Sequence, residues 1–400
     1  MNSHSDKLST SRSYTLTLSP HLIYTKSALL PVLVSSRLHA QVEFQAVGSW
    51  WIYKDAAEAS QVERQDSDGA NNHAAQDGSA NHTTGALQKI PSTREDVFAD
   101  DTLSPREKRS LMKFLRSVVL EPDSEAEPIP DTAFSSTLTT LRAMSPTLSE
   151  SLLALSLSHD SPGAVKTRSA VSRIRRHIQS IGIFGPGFGA VMPKYGGGAE
   201  IAQVACRASA VGGAVYVLGR GLKKMTEPNV SSAEAKVEDS AEEFVRLELS
   251  DGGEIKARFV TGCAEDLPTD APKGVRPSID LVKTLHSISI VSSPLEHLFP
   301  PTSESGPVPA GAVVVMYGCH GLSSECGPVY MLIHSSESGE CPTEQCESIH
   351  TPRVLFLPFF DSSFSDDSTY EYLSTLSATP LLIKNSDKLT GTYIPTHSNR

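Results

Sequence analysis

A chain of 400 residues is long enough for two domains, each with a core of its own. Its 35 Lys and Arg against 46 Asp and Glu give a net charge of -11, which argues against a nucleic-acid-binding protein, because such surfaces are basic. No apolar run reaches the roughly 18–20 residues that span a bilayer, and six scattered cysteines without a signal-peptide pattern at the start are typical of reduced thiols in the cytoplasm.

The first half of the chain changes from strand patterns to helical ones. Residues 1–53 are predicted to be strands of a first domain, domain I, because Val42 to Val47 alternate as a half-buried strand does. Residues 54–86 are polar and nearly free of large apolar side chains, so they are predicted to be a disordered insertion. Residues 87–101 then connect back to domain I.

Residues 102–185 carry helical patterns and are predicted to form a second, helical domain II. Its first helix has an N-cap candidate in Ser104 and Pro105 at the first helical position. A later helix, 165–181, has an apolar seam on one side and five basic residues on the other. That basic side is either a solvated face, the more common case, or a surface for anions or membranes.

Residues 186–400 return to strands and are predicted to be the remainder of domain I. A hairpin is expected around Asp251-Gly252-Gly253, and three apolar runs (288–291, 312–316 and 329–333) indicate buried strands. The order of strands, helices and strands predicts a mixed α/β fold in which the helical block is inserted into a sheet domain.

The most patterned stretch is "KYGGGAEIAQVACRASAVGGAVYVLGR", residues 194–220. Its glycines fit neither a dinucleotide fingerprint nor a phosphate-binding loop, because the spacing and the terminal Gly-Lys-Ser/Thr are missing. The alanine-rich run is predicted to be a helix that carries Glu200, Gln203 and Arg207 on one stripe. A following strand at 214–218 is expected to enter the sheet behind it. The stripe itself is either a solvated face or a binding surface.

This stretch resembles the central motif of the Rab GDP-dissociation inhibitor and Rab escort protein superfamily, roughly YPLYGxGELPQxFxRxxAxxGGxYxL. The matching positions are Tyr195, Gly196, Glu200, Gln203, Arg207, Gly213, Tyr216 and Leu218. "LQKIPSTREDVF" and "REKRSLMKFL" are similar to further segments of these proteins. The second of these, together with the polar insertion, favours the escort-protein branch, which is also called component A of Rab geranylgeranyltransferase.

The resemblance implies a flavoprotein-like fold that uses no flavin cofactor and has no catalytic residue of its own. No metal site is expected either, because the cysteines lack a C-x-x-C pair. It implies a cytoplasmic protein that binds Rab GTPases in their GDP form, presents them to the Rab geranylgeranyltransferase heterodimer, shelters their isoprenyl group and associates transiently with membranes. The Rab-binding platform it predicts comprises Tyr195, Glu200, Gln203, Arg207, Tyr216 and Val217. Phe134 is the residue predicted to contact the transferase.

The chain departs from the superfamily pattern at its start. These proteins open with a strand and a G-x-G-x-x-[ST] loop, whereas this sequence begins after them, so the resemblance predicts an N-terminally truncated version of the fold. Two alternatives therefore stay open. One is a flavin-type oxidoreductase of the related fold, which needs the missing loop, and the other is a truncated, inactive fragment.

Overall fold

The computed structural model describes residues 8–18, 20–54, 85–91, 94–100, 103–119, 132–141, 144–226, 244–262, 267–268, 287–303, 306–317, 327–351, 355–356, 381–385 and 388–393. The chain divides into two compact units. Unit 1 comprises Met1–Pro31, Val42–Glu200 and Thr284–Leu357, and unit 2 comprises Val32–Gln41, Ile201–Lys283 and Pro358–Arg400. The domain boundaries predicted from the sequence stay a prediction, and most of the predicted insertion, residues 55–84, lies outside the described residues.

The described chain begins with strands, continues with a block of helices and returns to strands, in the order that the sequence patterns indicate. The helices are α1 Leu29–Ser35, α2 Arg94–Ala99, α3 Pro105–Val119, α4 Pro146–Leu155, α5 Thr167–Ser180 and α6 Gly198–Val211. The strands are β1 His21–Tyr24, β2 Phe44–Lys54, β3 Ala86–Lys89, β4 Ala190–Pro193, β5 Leu222–Thr226, β6 Val245–Leu249, β7 Glu254–Ala257, β8 Phe259–Thr261, β9 Ser287–Val291, β10 Gly311–Met316, β11 Val329–Ser335, β12 Cys346–Thr351, β13 Leu355–Phe356, β14 Leu381–Asn385 and β15 Lys388–Tyr393. None of the helices in this part of the chain is long and apolar enough to cross a bilayer.

Unit 1 is built on a mixed sheet in the order β13-β1-β4-β2-β10-β11-β12-β9, with β3 paired to β2. The β2 and β10 strands run parallel and form the middle of the sheet. The first five residues of β10 are all buried, as the apolar run at 312–316 predicts for a strand covered on both faces. The predicted strands at 288–291 and 329–333 are confirmed as β9 and β11.

The helices of unit 1 pack on this sheet through one continuous core. That core joins Ile52 and Val313 of the sheet to Leu111, Phe114 and Ile174 of the helices. The helical block predicted at 102–185 therefore belongs to the same compact unit as the large sheet.

Helix α3 forms as its sequence predicts. Glu107 accepts hydrogen bonds from the backbone N–H and the hydroxyl of Ser104, while the Glu107 N–H donates to the Ser104 hydroxyl at 3.3 Å. This reciprocal arrangement is a capping box, which satisfies backbone donors that the first turn leaves without partners. Burial of Leu111, Phe114 and Val118 on one side then fixes the helix against the core.

The basic side of α5 is partly used inside the fold. The Arg175 Nε donates to the Val118 carbonyl at 2.6 Å, and the Arg173 Nη1 donates to the Leu157 carbonyl at 2.9 Å. Val118 lies in the last turn of α3 and Leu157 just beyond α4, where carbonyls lack partners within their own helix. Both arginines are half-buried, so this part of the basic side is not a fully solvated face.

Unit 2 contains two small antiparallel sheets, β5-β6-β7 and β15-β14-β8. The predicted hairpin is confirmed as β6 and β7, which pair in antiparallel register. Gly252 takes a φ of +87°, a left-handed conformation that a residue without a Cβ adopts without strain. Asp251 Oδ1 accepts the Gly253 N–H at 3.1 Å and closes the turn.

Candidate protein-binding surface

The turn between β4 and α6 presents the first residue of the predicted platform. All four residues of β4 are buried, and the chain then turns at Tyr195, which is 48% exposed. Tyr195 has a φ of +71° and Gly197 a φ of +59°. A tyrosine in this left-handed region is strained, so surrounding contacts must hold it there.

Contacts within unit 1 hold Tyr195 from two sides. Its N–H donates to the Ser338 carbonyl at 2.8 Å, and its ring lies against Gly339, where an added Cβ would be 2.5 Å from the ring carbon Cδ1. Lys194 Nζ lies 4.9 Å from the ring centroid and 3.2 Å from Glu43 Oε2. Interactions with Tyr195 and with Glu43 raise the pKa of Lys194 above its usual value.

The glycines before α6 serve backbone geometry. A Cβ on Gly198 would lie 2.5 Å from the His21 Nδ1. Only glycine therefore allows the backbone at the start of α6 to come this close to β1. The Glu200 N–H donates to the Gly197 carbonyl at 3.2 Å. Glu200 lies in the first turn, where its negative charge suits the positive end of the helix dipole.

Helix α6 carries the predicted polar stripe on its exposed surface. Glu200 is half-buried, Gln203 and Arg207 are exposed, and none of the helix residues is buried. At spacings of three and four residues, these side chains lie above one another on one side of the helix. The stripe therefore combines a carboxylate, an amide and a guanidinium within two turns.

The strand predicted at 214–218 is wrong, because a helix cap takes its place. The Ala214 N–H donates to the Ser209 carbonyl at 2.9 Å, the Gly213 N–H to the Ala210 carbonyl at 3.0 Å, and Gly213 has a φ of +93°. This pair of bonds is a Schellman motif, which needs a left-handed residue after the helix. Residues 214–217 follow it without regular secondary structure.

Two further platform candidates lie in this irregular segment. The Tyr216 hydroxyl donates to the Cys206 carbonyl at 2.9 Å and also bonds the Ser209 hydroxyl, so it ties the segment back to α6. Val217 is half-buried. Its neighbours Val215 and Leu218 are exposed, at 56% and 68%, and Val211 in the last turn of α6 is 85% exposed. Sequence reasoning missed this apolar exposure because alternating apolar residues are typical of a strand, and the double glycine at 212–213 was the available signal for a helix end.

Phe134 does not lie on a surface. It is 0% exposed, its ring centroid is 6.3 Å from that of Phe114, and its N–H donates to the Val165 carbonyl at 2.7 Å. The prediction that its side chain contacts a transferase is therefore corrected, since a fully buried ring presents no atoms to a partner. Phe134 packs instead in the core between the helices.

Comparison with known proteins finds one matching family profile and several similar sequences. The sequence profile described as GDP dissociation inhibitor matches residues 1–240. The chain is 28% identical over 293 residues to the "Rab proteins geranylgeranyltransferase component A" of Saccharomyces cerevisiae, covering 72% of this chain and 40% of that protein. It is 28% identical over 217 residues to the protein of the same name from Candida albicans, covering 53% of this chain and 29% of that protein. The chain thus spans less than half the length of either relative.

A solved structure shares the fold. The Rab GDI of Plasmodium falciparum superposes with a TM-score of 0.56 at 15% sequence identity, covering 95% of this chain and 78% of that one. This agreement confirms the predicted mixed α/β fold. Together with the profile match over 240 of 400 residues, it confirms the resemblance seen in the sequence. The chain belongs to the GDP dissociation inhibitor family.

Proposed function

We propose that this protein binds Rab GTPases in their GDP form through the polar stripe of α6, and acts as an escort or GDP-dissociation-inhibitor protein. The observation that carries the proposal is the stripe formed by half-buried Glu200 and exposed Gln203 and Arg207 on α6, whose start and end are fixed by glycines. Family membership gives the class of partner.

The chemistry of the stripe suits a protein partner. Glu200 supplies carboxylate acceptors, Gln203 supplies a donor and an acceptor, and Arg207 supplies a fork of N–H donors. Tyrosine and arginine are enriched among the residues that dominate binding energy at protein interfaces. Tyr195, held at the turn before the helix, and the apolar residues after its C-terminal cap give the stripe an aromatic neighbour and an apolar neighbour along the chain.

The role proposed for the bound GTPase is presentation to Rab geranylgeranyltransferase, in accord with the names of the relatives. The protein then acts as an accessory subunit that contributes proximity rather than bond-making groups. It holds the GTPase near a catalytic subunit and carries the isoprenylated product to membranes from the cytoplasm. Tyr216 and Val217 contribute to this surface by shaping the segment that follows α6.

The test measures binding of purified Rab loaded with GDP or with a GTP analogue, by titration calorimetry. The expected result is preferential binding of the GDP form, and a roughly tenfold loss of affinity in Arg207→Ala, because removal of a central interface arginine costs more than about 1 kcal/mol. Arg246→Ala is the matched control, since Arg246 is an exposed arginine on β6 and not on the helix that carries the stripe. Equal affinities of the two variants, or the absence of GDP–Rab binding by the wild type, would contradict the proposal.

A further inference from the structure

A cluster of polar side chains is buried in unit 1 next to the Tyr195 turn. Thr17, His334, Glu340 and Glu347 are 2%, 5%, 0% and 0% exposed. The Thr17 hydroxyl donates to Glu340 Oε1 at 2.5 Å, and the His334 Nδ1 lies 2.5 Å from Glu340 Oε2. Both oxygens of a fully buried carboxylate are therefore hydrogen-bonded, which is the condition under which such a group is tolerated in a core.

The two carboxyl groups of the cluster differ in charge state. Burial alone favours the neutral form of Glu340, but attraction to His334 and the hydrogen bonds from His334, Thr17 and Ser338 outweigh it and hold the pKa of Glu340 below its usual value. Burial, and then the charge of Glu340, raise the pKa of Glu347 to about 7. Glu340 is thus the stable anion of the cluster, and Glu347 is the group that takes up a proton first.

Glu340 also belongs to the loop that holds Tyr195. Its N–H donates to the Ser338 hydroxyl at 3.3 Å, and its carbonyl accepts the Thr15 N–H at 2.9 Å. The Ser338 carbonyl in turn accepts the Tyr195 N–H, and Gly339, at a φ of +77°, lies against the Tyr195 ring. The buried anion is therefore one residue from the glycine that contacts the ring and two residues from the carbonyl that fixes the backbone of Tyr195.

We propose that Glu340, anchored by Thr17 and His334, is a positioning residue that sets the orientation of Tyr195 on the partner-binding surface. Tyr195 is held in a strained backbone conformation, and such conformations persist where surrounding contacts over-determine them. The segment that supplies those contacts is a single 3-10 turn, Ser336–Ser338, followed by Gly339, and the side chain of Glu340 anchors its end. The relevance to GTPase binding rests on the function proposed above, whereas the effect on Tyr195 does not.

Thr17→Val is the main variant, because it removes one hydrogen bond to Glu340 and keeps the side-chain shape. Thr17→Ser, which retains the hydroxyl, is the conservative rescue. Glu347→Gln is the matched control within the cluster: Glu347 accepts the Thr17 N–H at 3.1 Å, but it lies on β12 outside the loop that contacts Tyr195. Glu340→Gln is the direct but more disruptive test.

A glycine pair tests the contact with the ring. Gly339→Ala places a Cβ 2.5 Å from the Tyr195 Cδ1 at a φ of +77°. Gly182→Ala introduces the same kind of backbone strain, at a φ of +85°, with no atom within 4 Å of the new Cβ. A change at Tyr195 that occurs in the first variant and not in the second is thus due to the contact.

The experiment introduces 3-fluorotyrosine at position 195 of the full chain and records its ¹⁹F resonance, with GDP–Rab affinity and the melting temperature measured in parallel. Thr17→Val and Gly339→Ala are expected to shift or broaden the resonance and to weaken Rab binding roughly tenfold, on the scale of a lost interface anchor. Thr17→Ser, Glu347→Gln and Gly182→Ala are expected to leave the ¹⁹F resonance and the affinity for GDP–Rab unchanged.

An unchanged resonance in Thr17→Val and in Glu340→Gln would overturn the proposal, as would an equal shift in Glu347→Gln. If wild-type protein does not bind Rab but the resonance follows the expected pattern, the positioning role stands and the function proposed above fails. If Glu340→Gln does not fold, Thr17→Val with its serine rescue decides the result. The two hypotheses therefore fail separately.

Discussion

His177 of α5 gives the stability of unit 1 a defined dependence on pH. Its side chain is 1% exposed, and neither ring nitrogen has a hydrogen-bond partner in the described structure. The imidazole packs edge-on against Trp50, with ring centroids 4.9 Å apart, and against Tyr24 at 5.7 Å. In this apolar environment, burial lowers the pKa of His177 from 6.5 to about 4.

The sign of the effect follows from which state binds the proton. Between pH 6.5 and 4 the unfolded chain protonates this histidine and the folded chain does not, so the free energy of unfolding falls as the pH falls. A pKa difference of roughly 2.5 units corresponds to about 3 kcal/mol when complete, and to about 2 kcal/mol between pH 7.5 and pH 5. In His177→Phe, which keeps an aromatic ring in the site and cannot titrate, this component of the pH dependence is expected to disappear.

The assay is urea unfolding at pH 7.5 and 5.0, followed by tryptophan fluorescence. Both tryptophans of the chain, Trp50 and Trp51, lie on β2, so the signal reports on unit 1. His297→Phe is the control, since His297 is exposed. Comparison of the pH dependence within each variant removes the effect of repacking on absolute stability. The reasoning is refuted if wild type and His177→Phe lose the same free energy of unfolding between the two pH values.

Further predictions concern single side chains of unit 1. Because the pKa of Glu347 is raised to about 7 from a usual 4.5, its ionised form is disfavoured in the fold, and Glu347→Gln should increase the free energy of unfolding at pH 8 by about 3 kcal/mol and have little effect at pH 4.5. Ser104→Ala should cost about 1 kcal/mol in urea unfolding through loss of the N-cap, whereas Ser104→Asp, which also caps, should cost little. Gly198→Ala should destabilise the protein by about 1–3 kcal/mol because its Cβ meets His21, and Gly163→Ala, with open space around the Cβ, should not.

Local patterns predicted the elements whose determinants are close in sequence. The start of α3 follows from Ser104, Pro105 and Glu107 within one turn, and the β6–β7 hairpin follows from the glycine between two alternating runs. Helix α6 and its polar stripe follow in the same way from three- and four-residue spacings. In each case, the interactions that decide the structure involve residues fewer than ten positions apart.

Interactions between distant residues could not be predicted in this way. Thr17 and Glu340, which share the buried hydrogen bond of the cluster, are 323 positions apart, and each by itself has the pattern of an ordinary surface residue. Phe134 is an example of the opposite error. Its resemblance to a family position indicated a surface role, whereas burial of its ring depends on packing between helices that a one-dimensional pattern does not show.

The glycines around α6 set the backbone geometry of the surface proposed above to bind a GTPase. Gly197 provides the left-handed turn before the helix, Gly198 allows the backbone to approach His21, and Gly213 ends the helix in a Schellman cap. Together they fix where the helix begins and where it ends. Helical periodicity places Glu200, Gln203 and Arg207 on one side of the helix, and the defined ends keep all three within its regular turns. The binding proposed for this surface therefore depends on these glycines as well as on the stripe, because they set the backbone geometry of the helix that carries it.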